Sequence, residues 1–249
     1  MYKLPNPFPI SLAACLLIAL ATSLMPLQSR ALPLKVVTEI SPPAQTLVDG
    51  QVSGVVTERV RKVLTDANQA AQIRAYPWAR AYDLALSTPN TLIYAMARTP
   101  QREALFKWIG PVGRYALGFM QLSRNQPVKI QTLQDAKAYM IAVQRQDVAL
   151  EVLKQHGFEE GKQLLVTADI QQSWTLLLKN KVDLVIDDPD AIDDMLQSMQ
   201  LKTSDVRFAY MIPELEQLTY LAASLNTNDS LVEALRQSLQ KQQFQLSQP

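Results

Sequence analysis

The sequence predicts an α/β protein, and two observations support that fold class. Short apolar runs that suit buried strands alternate along the chain with amphipathic segments that suit helices. The alternation also occurs as two successive series of similar plan, over about residues 34–122 and 140–199. Because such alternation is typical of helices packed on mostly parallel sheets, and because there are two series, we expect two α/β lobes and not one long sheet.

The first series contains three strands, two helices and a final extended segment. Its first helix carries Val60, Val63 and Leu64 on one face, as expected for a helix that packs on a sheet. A turn-rich stretch with two prolines and a glycine, residues 41–50, precedes that helix. The predicted strands are 34–39, 73–76 and 92–97, the predicted helices are 57–68 and 78–86, and residues 116–122 are extended.

The second series repeats this plan and leads to a closing helix. Gly157 ends one of its helices, because glycine readily adopts the left-handed conformation found just past a helix terminus. The predicted strands are 140–143, 164–166 and 184–186, and the predicted helices are 147–156, 172–180 and 189–199. Residues 208–211 and 220–223 are extended, and residues 230–243 form an amphipathic helix.

Residues 1–31 are expected to be an export signal. Lys3 gives a positive start, residues 10–24 are a nearly uncharged apolar run, and residues 29–31 place small side chains where signal peptidase cleaves. The run ends at Pro26, short of the roughly 20 apolar residues that a membrane span needs. The segment before Cys15 also matches a lipoprotein processing box, but the apolar run continues well beyond that cysteine. We therefore favour cleavage after Ala31 and a periplasmic location over lipidation.

Composition excludes several classes of function. Cys15 is the single cysteine, so the processed chain is expected to contain no disulfide. Loss of Lys3 and Arg30 leaves 22 basic residues against 23 acidic ones, a net charge of −1, so no basic field attracts nucleic acid. The one histidine, His156, lies at a predicted helix end, and no zinc site is expected.

The segment that follows the third strand predicts a site for a small anion. The apolar run of residues 91–97 stops at Thr99-Pro100, which is a helix-start signal, and Arg102 would then lie in the first helical turn. Free backbone N–H groups and the helix dipole already favour an anion there. A guanidinium group can add a bidentate grip on a carboxylate. The alternative for Arg102 is a surface ion pair with Glu103 or a neighbouring helix, which would contribute little.

The same residues carry a resemblance to a known family. Thr99-Pro-x-Arg102-Glu103, followed by Phe106-Lys-Trp108-Ile-Gly-Pro111, resembles the T-x-E-R…F-S-x-P-Y segment of the bacterial extracellular solute-binding proteins of family 3. These are periplasmic receptors for polar amino acids. The resemblance extends over roughly residues 34–243 and depends on the order of several short motifs. In that family the arginine of this motif holds the α-carboxylate of the ligand, and Arg102 is the matching position.

The resemblance implies the two-lobed periplasmic-binding-protein fold of type II, in which a ligand cleft lies between lobes joined by two crossover segments. Residues 32–113 and 218–249 would form lobe 1, and residues 117–214 would form lobe 2. It also implies a monomer that captures an amino acid or a small carboxylate and delivers it to an inner-membrane ABC permease. No enzymatic activity, cofactor or metal is expected.

Two acidic residues match positions that contact the ligand in that family. Asp188 follows the predicted strand 184–186 and matches the lobe 2 aspartate that meets the ligand's ammonium group. It equally suits a helix cap, because Pro189 follows it. Glu39 ends the first strand, where many members carry an aspartate.

Four further residues complete the expected site. Thr99 borders the ligand in the family, although a helix-cap role explains it as well, and Ala97 ends the strand before it. Trp78 lies just past a strand end and is expected to stack on a ligand, or else to belong to the core of lobe 1. Arg145 lies in the loop of residues 144–147, which lacks the glycine and threonine of the family, so that this arginine would replace them as the anion contact.

Two departures leave the ligand and the function open. The aromatic residue that usually follows the family's two prolines is replaced by Ala44, although Asp49-Gly50-x-x-x-Gly54 matches the motif that comes next. The best rival from another class is a dehydratase on the same scaffold, for which Glu39 is the obvious general acid. A sensory protein that passes its signal to a membrane receptor is the third possibility.

Overall fold

The structure is a computed structural model that describes residues 33–242. The predicted export signal, its cleavage site after Ala31 and Cys15 all lie outside the described residues. Across residues 33–242, no helix combines the length and the apolar character that a membrane span requires.

The described chain forms an α/β structure with one large sheet and a small hairpin. The strands are β1 (Leu34–Thr38), β2 (Thr46–Val48), β3 (Gln51–Ser53), β4 (Ala71–Ala75), β5 (Thr91–Ala97), β6 (Phe106–Leu122), β7 (Ile141–Gln144), β8 (Leu164–Thr167), β9 (Leu184–Asp187) and β10 (Val206–Ser224). The helices are α1 (Val55–Asp66), α2 (Trp78–Ser87), α3 (Val148–Gln155), α4 (Ile170–Leu178), α5 (Asp193–Ser198) and α6 (Asp229–Gln242).

The order of strands in the large sheet is β4-β1-β5-β10-β6-β9-β7-β8, which defines two lobes. Lobe 1 contains the parallel strands β4, β1 and β5, and lobe 2 contains the parallel strands β9, β7 and β8. The long antiparallel strands β6 and β10 run through both lobes and are the two crossover segments. The predicted two-lobed α/β fold is therefore confirmed, while the lobe boundaries at residues 113–117 and 214–218 stay a prediction.

Pairing between β6 and β10 is interrupted where the chain passes from one lobe to the other. Met211 pairs with Gly118, but the next pair joins Glu216 to Ala116, so four residues of β10 face a single residue of β6. Two of those four, Ile212 and Leu215, are fully buried in an apolar cluster of lobe 2. A break in the ladder bends and twists a strand locally. The crossover is thus the place where the sheet is least regular.

Each lobe has its own apolar core on the faces of its half of the sheet. In lobe 1, Val56, Val60, Val63 and Leu64 of α1 pack against β1, β5 and α6. This is the helix face that the sequence predicts. In lobe 2, α3 packs on one face of the sheet, and Trp174 of α4 packs on the other.

The helix predicted after Thr99-Pro100 is wrong. The structure has only a turn, in which the Arg102 N–H donates to the Thr99 carbonyl at 3.0 Å, and one short 3₁₀ turn (Glu103–Leu105). The chain enters β6 at Phe106 because the alternate side chains of Phe106 and Trp108 are buried and this segment pairs with β10. The positive end of a helix dipole is therefore absent from this turn.

Other elements differ in length from the sequence prediction. The predicted extended segment 116–122 proves to be the end of the long strand β6, and the segments 208–211 and 220–223 are both parts of β10. The helix predicted over residues 189–199 is shorter and begins at Asp193, while Asp188 accepts a hydrogen bond from the Asp190 N–H in a turn. A helix-cap role for Asp188 is therefore wrong. Strand β2 of the hairpin lies within the segment that the sequence marks as turn-rich, and β3 follows directly after it.

Candidate ligand-binding cleft

A cavity of about 130 Å³ lies between the lobes. The carboxyl ends of the parallel strands β1, β5, β7 and β9 all meet at this cavity, which is where open α/β sheets bind ligands. Polar lining residues come from both lobes and from both crossover strands, β6 and β10. They are Glu39, Ser41, Gln45, Trp78, Arg102, Arg114, Tyr115, Gln144, Asp147, Ser173, Asp187, Asp188 and Thr219.

Arg102 lines the cavity and is held by groups of this chain. Its guanidinium donates to Glu151 Oε1 from Nε at 2.9 Å and from Nη2 at 2.5 Å, and Nη2 also donates to the Gln146 carbonyl at 2.9 Å. The guanidinium carbon lies 5.8 Å from the ring centre of Trp78 and 5.2 Å from that of Tyr82, within cation–π range. The side chain of Arg102 is only 1% exposed. This arginine of lobe 1 is therefore anchored to lobe 2.

The carboxylate that pairs with Arg102 is placed by helix α3. Asp147 is the N-cap of that helix, since its Oδ1 accepts from the Ala149 N–H at 2.7 Å. Asp147 also lines the cavity. Glu151 lies one turn further on, while Leu150 and Leu153 anchor the helix in the core of lobe 2. Glu151 therefore projects from a fixed support.

Three more hydrogen bonds cross between the lobes. Trp78 Nε1 of lobe 1 donates to the Gln146 carbonyl at 2.9 Å, and Gln146 Nε2 donates to Asp83 Oδ1 at 3.0 Å. Gln144 Nε2 donates to Glu39 Oε2 at 2.9 Å. Gln146 has φ of +59°, in the left-handed region that side chains other than glycine seldom adopt, and its carbonyl receives donors from both Trp78 and Arg102. The lobes are in direct contact at the cavity rim.

Two neighbouring aspartates of lobe 2 line the opposite wall. Asp187 accepts from Trp174 Nε1 at 2.7 Å and from the Asp188 N–H at 2.8 Å. Burial, helped by the nearby carboxylates of Asp188 and Asp147 and opposed by those two hydrogen bonds, raises the pKa of Asp187 to about 6. Asp188 Oδ2 accepts from the Ala116 N–H of the crossover strand at 3.1 Å. Lobe 2 thus presents carboxylates that are held by neutral donors.

Glu39 faces these aspartates from the end of β1. Burial raises its pKa well above the ordinary value, and the carboxylates of Asp147, Asp187 and Asp169 raise it further, while the hydrogen bond from Gln144 opposes the shift. Burial also raises the pKa of Asp147. The raised pKa values reflect burial first and repulsion between neighbouring carboxylates second, and a cation in the cavity would stabilise the ionised form of these groups.

Two buried polar groups at the cavity lack a hydrogen-bond partner among the described residues. They are the side-chain nitrogen of Gln45 and the hydroxyl of Tyr115. Gln45 is only 1% exposed, and burial raises the pKa of the Tyr115 hydroxyl well above its ordinary value. A buried donor without a partner is costly, and such groups are commonly satisfied by water or ligand. Both residues therefore offer contacts to an occupant of the cavity.

The structure brings most of the expected site residues together. Glu39, Trp78, Ala97, Arg102 and Asp188 all line the cavity. Two residues do not. Thr99 lies outside the lining, and its hydroxyl is 3.5 Å from Glu151 Oε2. Arg145 is exposed and lines a separate surface concavity, because the turn at Gln146 directs it away from the cleft.

Three residues that line or support the cavity, Glu151, Tyr115 and Gln45, were not predicted as site residues. Glu151 gives no signal, because one acid on an amphipathic helix is an ordinary surface residue. Tyr115 lies on a crossover strand whose first half was not predicted as extended, and Gln45 lies between the two prolines and Asp49-Gly50, at a position that the family motif does not specify. Gln144 and Asp147 belong to the loop that the family resemblance marks, although their departure from the family pattern obscured their place in the site.

Comparisons with known proteins agree with this geometry. No protein-family model matches the chain, and no curated protein matches it by sequence. Solved structures do match. An ancestral arginine-binding protein bound to arginine has a TM-score of 0.71 at 16% sequence identity, covering 84% of this chain and 91% of that one. The chain has the fold of periplasmic binding proteins.

Two further solved structures have the same fold. The arginine-, lysine-, histidine-binding protein ArtJ from Geobacillus stearothermophilus has a TM-score of 0.71 at 15% identity, covering 84% of this chain and 89% of that one. A histidine kinase sensor domain with similarity to periplasmic binding proteins has a TM-score of 0.71 at 14% identity, with coverage of 84% and 89%. At these identities the matches establish the architecture, so the assignment of function depends on the cleft.

Proposed function

We propose that this chain is an exported solute-binding protein that encloses one small, amino-acid-sized solute carrying a positively charged nitrogen. The observation that carries the proposal is the cavity itself. It lies between two lobes at the strand ends, and its walls bear the carboxylates of Glu39, Asp147, Asp187 and Asp188 together with the unpartnered groups of Gln45 and Tyr115.

The proposed cellular role is capture of the solute in the periplasm and delivery to an inner-membrane ABC permease. In this role the protein acts as a monomer, with lobes at residues 32–113 plus 218–249 and 117–214. The expected signal at residues 1–31 supports export. Mass spectrometry of protein recovered from the periplasm should show Leu32 as the first residue, whereas a diacylated chain beginning at Cys15 would replace this assignment with a membrane-tethered lipoprotein.

A thermal-shift screen tests solute binding. The panel contains amino acids, amines, small peptides and organic acids, each applied over a range of concentrations. A solute at 100 times its dissociation constant stabilises a protein by about 2.7 kcal/mol, which is readily measured as a rise in Tm. We expect stabilisation by at least one nitrogen-bearing cation. A response confined to organic acids would contradict the proposal.

One observation favours a sensory role as the second candidate. A histidine kinase sensor domain is among the solved structures that share the fold. Transport and sensing require the same solute-binding step. They differ in the membrane protein that the closed form contacts, which is a permease in transport and a receptor in sensing. Pull-down of the solute-loaded protein with a permease or with a receptor kinase from the same cell distinguishes them.

An enzymatic role makes a separate prediction. Glu39, with its raised pKa, holds a proton to higher pH than an ordinary glutamate, as a general acid in a dehydratase would require. Prolonged incubation with the identified solute, followed by chromatography, should return the solute unchanged if the protein is a receptor. Accumulation of a product would favour the enzyme.

A further inference from the structure

Arg102 is already bound to a carboxylate that this chain supplies. Both of its donors to Glu151 reach the same oxygen, at 2.9 and 2.5 Å, and the Gln146 carbonyl takes a further bond from Nη2. With 1% of its side chain exposed, the arginine is enclosed by its partners and by the faces of two aromatic rings. The guanidinium group is thus engaged by groups of this chain.

Glu151 is well placed to keep this position. It lies on α3, whose start is fixed by the Asp147 cap and whose apolar face is buried in lobe 2. The pair therefore joins a rigid helix of lobe 2 to the turn after β5 in lobe 1. It contributes to closure of the lobes as well as to neutralising Arg102.

The charges that remain in the cavity are negative. Four lining carboxylates, those of Glu39, Asp147, Asp187 and Asp188, take hydrogen bonds from neutral donors, and within residues 33–242 none of them belongs to an ion pair. The lining contains two cationic side chains in the described chain, Arg102 and Arg114. Glu151 pairs with the first, and Glu216 pairs with the second at 2.9 Å.

From this arrangement we infer that the cleft selects small organic cations that lack a carboxylate, such as amines and guanidines, and that Glu151 is the residue that sets this selectivity. The inference rests on the proposed solute-binding function. A bidentate grip on a ligand carboxylate needs Nη2 of Arg102, which already donates to Glu151 and to the Gln146 carbonyl, so such a ligand would have to compete with Glu151 and would leave that acid without its full pairing beside an acidic cavity. A ligand without a carboxylate avoids this cost and neutralises the lining acids.

Calorimetry with matched pairs of solutes tests the inference. Each pair differs by one carboxylate: agmatine against arginine, cadaverine against lysine, and putrescine against ornithine. For the purified, exported protein we expect the decarboxylated member of the best-binding pair to bind at least about tenfold more tightly. Tighter binding of the amino acid would overturn the inference and leave the solute-binding function standing. Failure of all six solutes to bind would overturn the inference, whereas the solute-binding function would still be decided by the wider thermal-shift panel.

Variants of Glu151 test its role directly. Glu151→Ala frees Arg102 for a ligand carboxylate, so the ratio of the two affinities in the best pair should shift toward the amino acid by about tenfold or more. Glu151→Gln keeps the side-chain length and an oxygen acceptor for Arg102, which guards against misfolding, and should give a shift in the same direction. The control is Glu160→Ala, which removes an acid that pairs with Lys154 of the same helix, outside the cavity lining. An unchanged ratio in both Glu151 variants would overturn the assignment of Glu151.

Discussion

Trp78 and Gln146 join the two lobes directly, because the indole N–H of Trp78 in lobe 1 donates to the main-chain carbonyl of Gln146 in lobe 2 at 2.9 Å. The same carbonyl accepts from Arg102. Trp78 is 3% exposed and packs against Tyr82, with ring centres 6.0 Å apart, so its position within lobe 1 is fixed. The sequence left open whether Trp78 belongs to the core or to the site. It serves both, since one edge packs in lobe 1 and the nitrogen faces the other lobe.

Trp78→Phe should weaken solute binding without unfolding lobe 1. The substitution keeps an aromatic ring but removes the N–H that helps to hold the lobes together. A net hydrogen bond contributes about 0.5–1.5 kcal/mol, so we expect a roughly 2- to 12-fold loss of affinity by calorimetry.

A matched control exists in the same lobe. Trp108 Nε1 donates to the Glu103 carbonyl at 3.1 Å, a bond that stays within lobe 1. Trp108→Phe therefore removes a comparable hydrogen bond without affecting the contact between lobes, and it should leave the affinity near that of the wild type. Equal losses in the two variants would mean that Trp78 acts through the stability of lobe 1 and not through closure.

Movement of the lobes about the crossover is the second prediction. The ladder between β6 and β10 breaks between Gly118 and Ala116, so each lobe can move as a rigid body about this point. Small-angle scattering should give a smaller radius of gyration with a saturating solute than without one. An unchanged radius with a solute proven to bind would show that the contacts around Arg102 already hold the lobes closed.

Most of the fold could be predicted from the sequence because its strands are fully buried apolar runs and its helices are amphipathic. The segment after Thr99-Pro100 could not, since a strong local helix-start signal was overridden by pairing of Phe106 and its successors with β10, which lies more than 100 residues further along the chain. Local propensity carries no information about such a distant partner.

The candidate site was predictable only where a strand end places a polar residue at the sheet edge. Glu39 and Asp188 could be found in this way, because parallel strands bring their carboxyl ends together. Glu151 could not, because its role depends on how closely the two lobes approach. The place of Arg102 at the cleft was predicted, but its buried pairing with Glu151 of α3 was not, since the sequence offered only a surface ion pair as the alternative.

Gly54→Ala should destabilise lobe 1. Gly54 precedes α1 with φ of +105°, and a Cβ there would lie 2.6 Å from the Ala44 carbonyl oxygen. That carbonyl accepts from the first-turn N–H of Val56 at 3.1 Å, so the loop that contributes Gln45 to the cavity is also the cap of this helix. The strained backbone and the clash should together cost about 2–5 kcal/mol, measured by chemical denaturation.

Gly50→Ala is the control for this effect. Gly50 also has a positive φ, of +75°, but no atom lies within 4 Å of the position that its Cβ would take. We expect a loss of only about 1 kcal/mol, from the left-handed backbone alone. A similar loss in both variants would show that contact with Ala44 is unimportant.

The pH dependence of stability should reveal the buried acids of the cleft. Because burial and neighbouring carboxylates raise the pKa of Glu39 in the folded protein, the folded state binds more protons than the unfolded chain between the two pKa values. The stability from this group is therefore fully present below the ordinary glutamate pKa, about 4.3, and is lost as pH rises through the folded value. Asp187, with a folded pKa of about 6, adds a loss of the same sign.

Thermal unfolding of the solute-free protein should be measured from pH 4 to pH 8 for the wild type and for Glu39→Gln. Relative to its own value at pH 4, the Tm of Glu39→Gln should fall less with rising pH than the Tm of the wild type. The glutamine keeps an oxygen that can accept from Gln144, so the contact between lobes is preserved. Glu160→Gln, a substitution of an exposed acid, should leave the wild-type slope unchanged. If Glu39→Gln follows the wild-type curve throughout, the pKa of Glu39 is the same in the folded and the unfolded chain, and burial in the cleft does not raise it.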